Sequence, residues 1–220
     1  MTAAESTTES EIAAARIAVY QFLLAMLDKP TAEQFRWLRG DECRDTLSRL
    51  CEHFLIAPPE SEFAPEEFAE FESRYLACFE VGVPVPPVPL LASHYNRRRP
   101  APATIHEHVL FYQQFGLRPA GGNSEPADHL SAELAFLIHL DERARRQAEK
   151  RESILRARRD FLDRQAGAWP ARAAELAAEN GLPDVYVATL SLLARAVEHD
   201  SELAAAALAE FKAENDDALA

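Results

Sequence analysis

Asp128 and His129 stand side by side, and Glu133 follows His129 by four positions, with His94, His106 and His108 a short way upstream. A carboxylate beside an imidazole can orient it as a general base near neutral pH. His129 and Glu133, one helical turn apart, could instead face one metal ion, with His94, His106 or His108 as further ligands. Both chemistries meet obstacles. Neighbouring residues on a helix point about 100° apart, so Asp128 and His129 do not readily bond each other. No serine or cysteine nucleophile motif accompanies them. A bundle metal site of the di-iron kind needs repeated Glu-x-x-His pairs, which the chain lacks. Binding makes fewer demands: a peptide docking as an amphipathic helix needs an apolar groove, and its arginines need a carboxylate at the rim. In that reading Tyr75, Phe79 and Tyr95 line the groove, and Asp128 and Glu125 supply the carboxylates. His129 then either touches the peptide or fixes the loop that carries Ser93 and Tyr95. Asp128 also fits as a cap of its own helix, and the two roles can coexist. Arg97, Arg98 and Arg99 read as an exposed loop patch, since no apolar run follows them and no Gly-rich phosphate loop accompanies them.

These residues need a scaffold, and the hydrophobic periods describe helices. Pro126 suits a first helical turn, and Leu130, Leu134, Leu137 and Ile138 recur as a buried stripe, so the Asp-His pair lies at the mouth of a core helix. Ile12, Val19, Phe22, Leu23, Met26 and Leu27 mark one face of a first helix that Pro30 ends. Thr31 and Gln34 make a capping-box start for a short helix stopped by Gly40. Leu47, Leu50, Cys51, Phe54 and Leu55 mark a third helix, closed by Pro58 and Pro59. A fourth starts at Pro65, with Phe68, Phe71, Tyr75 and Phe79 down one side. Pro84, Pro86, Pro87, Pro89, Pro100 and Pro102 then deny regular helix and favour a stiff, extended connection. Thr104 and Glu107 form a second capping-box pattern, for a helix from Ile105 to Phe115 that stops at Gly116. Gly121 and Gly122 mark a mobile loop. The charged run after Leu140 keeps Ile154, Leu155, Phe161 and Leu162 on an apolar side and otherwise reads as solvated. Asn180-Gly181 closes the helix after Trp169, and Pro183 starts a last one that buries Val187, Leu190, Leu193 and Val197 and frays beyond about Ala213.

Abundant Ala, Leu, Glu and Arg with few β-branched runs predict an all-α fold. Its expected form is a single-domain helical bundle of two sub-bundles, 1–80 and 104–220, joined by the proline-rich loop 81–103, with the working groove where the halves meet. A formal charge of −13 argues against non-specific nucleic-acid binding. It suits basic partners, and equally it keeps a protein soluble. Cys43, Cys51 and Cys78 lack a CxxC spacing and read as buried free thiols, and no metal or other cofactor is expected. MTAAESTTESE has neither a basic n-region nor an apolar h-region, and no later span suits a bilayer. The expectation is a cytoplasmic protein without stable membrane insertion.

The segment Glu125-Pro126-x-Asp128-His129-x-x-x-Glu133-Leu134-x-Phe136 resembles the signature of the TorD/DmsD family of redox-enzyme maturation chaperones. The stretch YLACFEVGVPVPPVPLLASHYNR, Tyr75 to Arg97, looks like that family's Tyr-x-x-Leu-Phe, proline-rich, Ser-x-Tyr segment. FYQQFGL, Phe111 to Leu117, looks like its short helix ending in Gly-Leu. Phe161 and Trp169 keep the family's spacing, while Gln165 and Ala166 stand where a His-Leu pair is common. The resemblance runs from about Tyr75 to Trp169. It implies a cytoplasmic chaperone, not an enzyme, dedicated to the apo catalytic subunit of a molybdopterin-dependent oxidoreductase. Such a chaperone holds the client's leader or amino-terminal segment, including a twin-arginine leader, until cofactor insertion is complete. The client-peptide residues would be Tyr75, Phe79, Ser93, Tyr95, Glu125, Pro126, Asp128 and His129. Monomer and domain-swapped dimer are both open. So are a helical metal protein or enzyme using Asp128, His129 and Glu133, an adaptor indifferent to the client's cofactor state, and direct binding of a nucleotide or pterin.

Overall fold

A computed structural model of the chain describes residues 3–59, 67–118 and 125–217. Ten α-helices run through them: α1 (Ala3–Leu27), α2 (Ala32–Leu38), α3 (Asp41–His53), α4 (Phe68–Tyr75), α5 (Ala92–Tyr95), α6 (Ala101–Gln114), α7 (Leu130–Arg146), α8 (Arg151–Phe161), α9 (Pro170–Glu179) and α10 (Asp184–Asp217). A 3₁₀ turn, Ala148–Lys150, joins α7 to α8. Wide π-helical turns extend α4 over Leu76–Glu80 and α8 over Leu162–Ala166. Among the described residues extended backbone pairs only in an isolated antiparallel bridge between Leu91 and His129. The fold is all-α, as composition and periodicity predicted.

Several boundaries follow from local chemistry. At the start of α2 the Thr31 hydroxyl accepts from the Gln34 amide, and the Gln34 side chain accepts from the Thr31 amide, each at 3.1 Å. Two donors that a helix start leaves orphaned are thereby satisfied. Between α9 and α10 the chain turns at Gly181, whose φ of 63° is costly for a residue with a Cβ. Other expectations are corrected. Ile12 is exposed and takes no part in the buried face of α1. Leu55 is 90% exposed at φ 56°, because α3 ends at His53 and the turn rotates Leu55 away from the core. The capping box at Thr104 does not form: α6 begins earlier, at Ala101, with Pro102 in its first turn, and Thr104 is buried inside it. α7 begins at Leu130, so Pro126 and Asp128 precede the helix. α10 stays helical to Asp217, past the expected fraying point. Pro65, Gly121 and Gly122 lie outside the described residues.

One contiguous apolar core runs from Tyr20 to Val197. α1 lies against α7 and α10, and α8 and α9 pack on α10, so the amino-terminal helix is tied to carboxy-terminal ones across shared core. The α6, α7 and α8 faces meet through rings: Phe136 and Phe161 have centroids 4.8 Å apart, Tyr112 and Phe136 4.9 Å, and Phe111 and Phe161 5.2 Å. Phe136 and Phe161, both fully buried, contribute roughly 1.5–3 kcal/mol each.

The charged run after Leu140 is less solvated than expected, because Arg158 is 1% exposed. Its Nε donates to Asp200 Oδ1 at 2.9 Å, and its Nη1 donates to the Leu137 carbonyl at 2.9 Å and pairs with Asp141 Oδ2 at 3.0 Å. Arg16 also pairs with Asp141, and the Tyr20 hydroxyl donates to Asp200 at 2.6 Å. Two cations and two anions from α1, α7, α8 and α10 thus balance inside the core. Cys43, Cys51 and Cys78 are free and buried. Burial pushes the Cys43 thiol up to about 12 and the Cys78 thiol to about 11, which leaves them protonated and unreactive. Among the described residues no helix is long and apolar enough to cross a membrane.

Candidate functional site

The turn before α7 fastens the end of the proline-rich segment. The Ala92 amide donates to the Asp128 carbonyl and the Leu130 amide to the Leu90 carbonyl, both at 3.0 Å. Asp128 is fully buried, and its Oδ2 accepts the Ser93 amide at 2.9 Å, while Oδ1 has no partner among the described residues. The carboxylate therefore clamps the first turn of α5 rather than standing at a rim or capping α7. The cap of α7 is His129: its Nδ1 lies 3.2 Å from the Ser131 amide, which donates to it. The same nitrogen lies 2.6 Å from Glu125 Oε2, which also accepts from the Ser131 hydroxyl at 2.7 Å. Capping needs the Nδ1 lone pair and a hydrogen bond to Glu125 needs a proton there, so the two do not form at once.

Behind this turn lies a second buried polar group. Glu133 does not face His129. It takes His108 Nε2 at 2.7 Å on one oxygen and the Trp169 indole N–H at 2.9 Å on the other, while His108 Nδ1–H donates to the Thr104 carbonyl at 2.9 Å. Burial raises the Glu133 pKa, and on His108 the hydrogen bond and charge of Glu133 outweigh burial's opposite pull, so that pKa is raised as well. The pair holds a proton tightly between helices α6 and α7. Thr104, His108 and Tyr112 recur every four residues, a polar-aromatic stripe on a buried face that signalled this group in the sequence. His94 and His106 are exposed and apart from it, and no group of three metal-ligating side chains occurs among the described residues.

The proposed client residues divide by depth. Tyr75 and Phe79 are core: the Tyr75 hydroxyl donates to the Leu27 carbonyl at 3.1 Å, and the Phe79 ring meets Tyr186 edge-on at 4.9 Å. Asp128 and His129 are buried, Ser93 and Tyr95 are half-buried, and Glu125 and Pro126 are exposed. Tyr95 stacks on Trp169, with centroids 5.2 Å and planes 19° apart, and its hydroxyl donates to the Pro89 carbonyl at 3.0 Å. Trp169 is held in turn by Glu133, so the interior polar group positions a surface ring.

Tyr95 and Arg97 are shared by two adjoining depressions. The first, about 490 Å³, is walled by Arg97, Arg98, Arg99, Arg164, Glu107 and Trp169. The second, about 670 Å³, is walled by Val85, Pro86, Pro87, His94, Arg172 and Leu176. The π turn after α8 brings Arg164 and Gln165 onto Glu107, which also pairs with Arg99. Burial opposes charge on Glu107, but the Gln165 hydrogen bond and the two guanidiniums outweigh it and lower its pKa. Among the described residues no carboxylate partners Arg97 or Arg98. Sequence reasoning placed the arginine run on a loop but missed Glu107, Arg164 and Gln165, which reach it from other elements.

The family model described as nitrate reductase delta subunit matches residues 40–175, a span that contains the first depression, most of the wall of the second, and the Glu133–His108 and Trp169 group beneath them. A perchlorate reductase assembly chaperone protein of Dechloromonas aromatica (strain RCB) is 34% identical over 137 residues, 60% of each chain. A selenate reductase assembly chaperone protein of Thauera selenatis is 33% identical over 125 residues, 56% of this chain and 62% of that one. A chlorate reductase assembly chaperone protein of Ideonella dechloratans is 30% identical over 128 residues, 57% of this chain and 63% of that one. The chain thus spans about 60% of the length of the curated relatives it matches.

Proposed function

Because the chain belongs to the nitrate reductase delta subunit family, among the TorD-like redox-enzyme maturation proteins, we propose that it is a cytoplasmic chaperone for the apo catalytic subunit of a molybdopterin-dependent oxidoreductase. It holds the subunit's leader or amino-terminal segment and releases it once the cofactor is in place. The observation that carries this reading is the family match over residues 40–175, supported by the names of relatives that assemble reductases. No bond is made or broken. Ordered release needs only a higher affinity for the cofactor-free client than for the mature one. Ser93, Tyr95, Glu125 and Pro126 are the client-facing part of the signature. Tyr75, Phe79, Asp128 and His129 act from the interior by holding that face in shape.

The test is an affinity pull-down from the source cell's lysate, first with cofactor synthesis intact and then with it blocked. A molybdoenzyme catalytic subunit enriched in the blocked sample is the expected result. Equal capture in both states would make the protein an adaptor indifferent to cofactor. Absence of any such subunit would overturn the reading.

A further inference from the structure

We infer that the two depressions flanking Tyr95 form one trough that takes an acidic, apolar-containing segment of a polypeptide. The assignment rests on the chaperone reading only for the partner's being a client chain. Its chemistry is argued from charge. The molecule carries a formal charge of −13, yet one half of the trough gathers Arg97, Arg98, Arg99 and Arg164 around a single carboxylate, Glu107. Glu107 is spent on Arg99 and Arg164, and among the described residues no carboxylate partners the Arg97 and Arg98 guanidiniums, of which Arg97 stands at the junction with the second half. An acidic segment is disfavoured by the net negative charge of the chain and attracted to that cluster, where, unlike along the exposed arginines of α8, the cations border an apolar depression. Guanidiniums bind carboxylates in bidentate fashion, adding geometric selection to the attraction.

The other half supplies apolar contact. Val85 is 46% exposed beside Pro86, Pro87 and Leu176, and on the same loop Val81 is 64% and Val83 fully exposed. Prolines have no amide N–H, so the loop cannot extend a ladder along a bound strand, and recognition falls to side chains. The trough is also preorganised, since Asp128 fixes Ser93, the Leu91–His129 bridge fixes the loop's end, and Trp169 backs Tyr95. Its sign disfavours the arginines of a leader, so the acidic segment it takes is a different part of the client chain from any arginine-bearing stretch.

The test uses the full chain and fluorescein-labelled synthetic peptides in which Leu alternates with Asp, with Asn or with Lys, read by fluorescence anisotropy. The Asp peptide is expected to bind about tenfold or more tightly than the Asn and Lys peptides, and to weaken as salt is raised. The double variant Arg97→Ala/Arg98→Ala should lower its affinity about fivefold. Both side chains are exposed and have no ion-pair partner among the described residues, so circular dichroism should be unchanged. Val85→Ser, also exposed, should lower affinity without altering the salt slope. Equal binding of the Lys peptide, an unaffected double variant, or inorganic phosphate displacing the peptide at its own affinity would each overturn the assignment. No client subunit enters this experiment, so its failure is distinct from failure of the pull-down.

Discussion

Asp128 shows why residue type and position in the chain do not determine a role. Placed by spacing at the mouth of a helix, it is a natural rim carboxylate; placed by packing, it is fully buried and holds the Ser93 amide. Asp128→Ala leaves that amide without its charged acceptor, which costs about 1.5–3 kcal/mol. The expected outcome is a lower melting temperature together with weaker client capture, because the loop bearing Tyr95 is released. Loss of capture at unchanged melting temperature would instead return Asp128 to the surface site. His108 carries a second prediction at this scale. Its folded pKa lies above the ordinary 6.5, so folding takes up a proton there. The stability this contributes is complete below about pH 6.5 and is lost as pH rises through the raised value. Glu133, also raised in the fold, acts with the same sign. Urea unfolding across neutral to alkaline pH should show the decline in the wild type and a flatter profile in His108→Gln.

Among elements, α8 and the proline-rich loop owe their places to different forces. Arg158 on α8 joins α7 and α10 through Asp141 and Asp200, and Arg16 brings α1 into the same network. Burial alone would raise the Asp200 pKa, but Arg158 and then Arg16 outweigh it and hold the carboxyl below its usual range. That contribution is present above the ordinary value of 3.8 and fades as pH falls through the depressed one. Arg158→Leu strands buried carboxylates and should cost about 3–5 kcal/mol in chemical denaturation. Replacing Arg16, Arg158, Asp141 and Asp200 together by leucines should recover much of it, since the charges are then gone rather than unpaired. In the loop, a Cβ on Gly82 would lie 2.1 Å from the Val85 carbonyl oxygen, so only glycine permits the turn that presents Val83 and Val85. Gly82→Ala should therefore lower Asp-peptide affinity in the anisotropy assay while the helical circular dichroism signal holds, because the loop is re-aimed outside the core.

For the whole molecule, a basic trough on a chain of net negative charge makes electrostatics a matter of place as much as of net charge. The sequence by itself determined the helical class, the capping box at Thr31, the buried cysteines, the stripe of α7 and the family signature, because each depends on neighbours within a turn or two of chain. Tertiary structure alone decided what the signature residues do. The partners of Asp128, Glu133, Trp169 and Glu107 are Ser93, His108, Glu133 and Arg164, each carried on another element. Burial turned Tyr75 and Phe79 from groove walls into core, and it turned Arg158 from a solvated charge into the centre of a buried network. Local periodicity shows that a face is covered, but what covers it is settled only when distant segments pack, since desolvation and pairing depend on the atoms that arrive there.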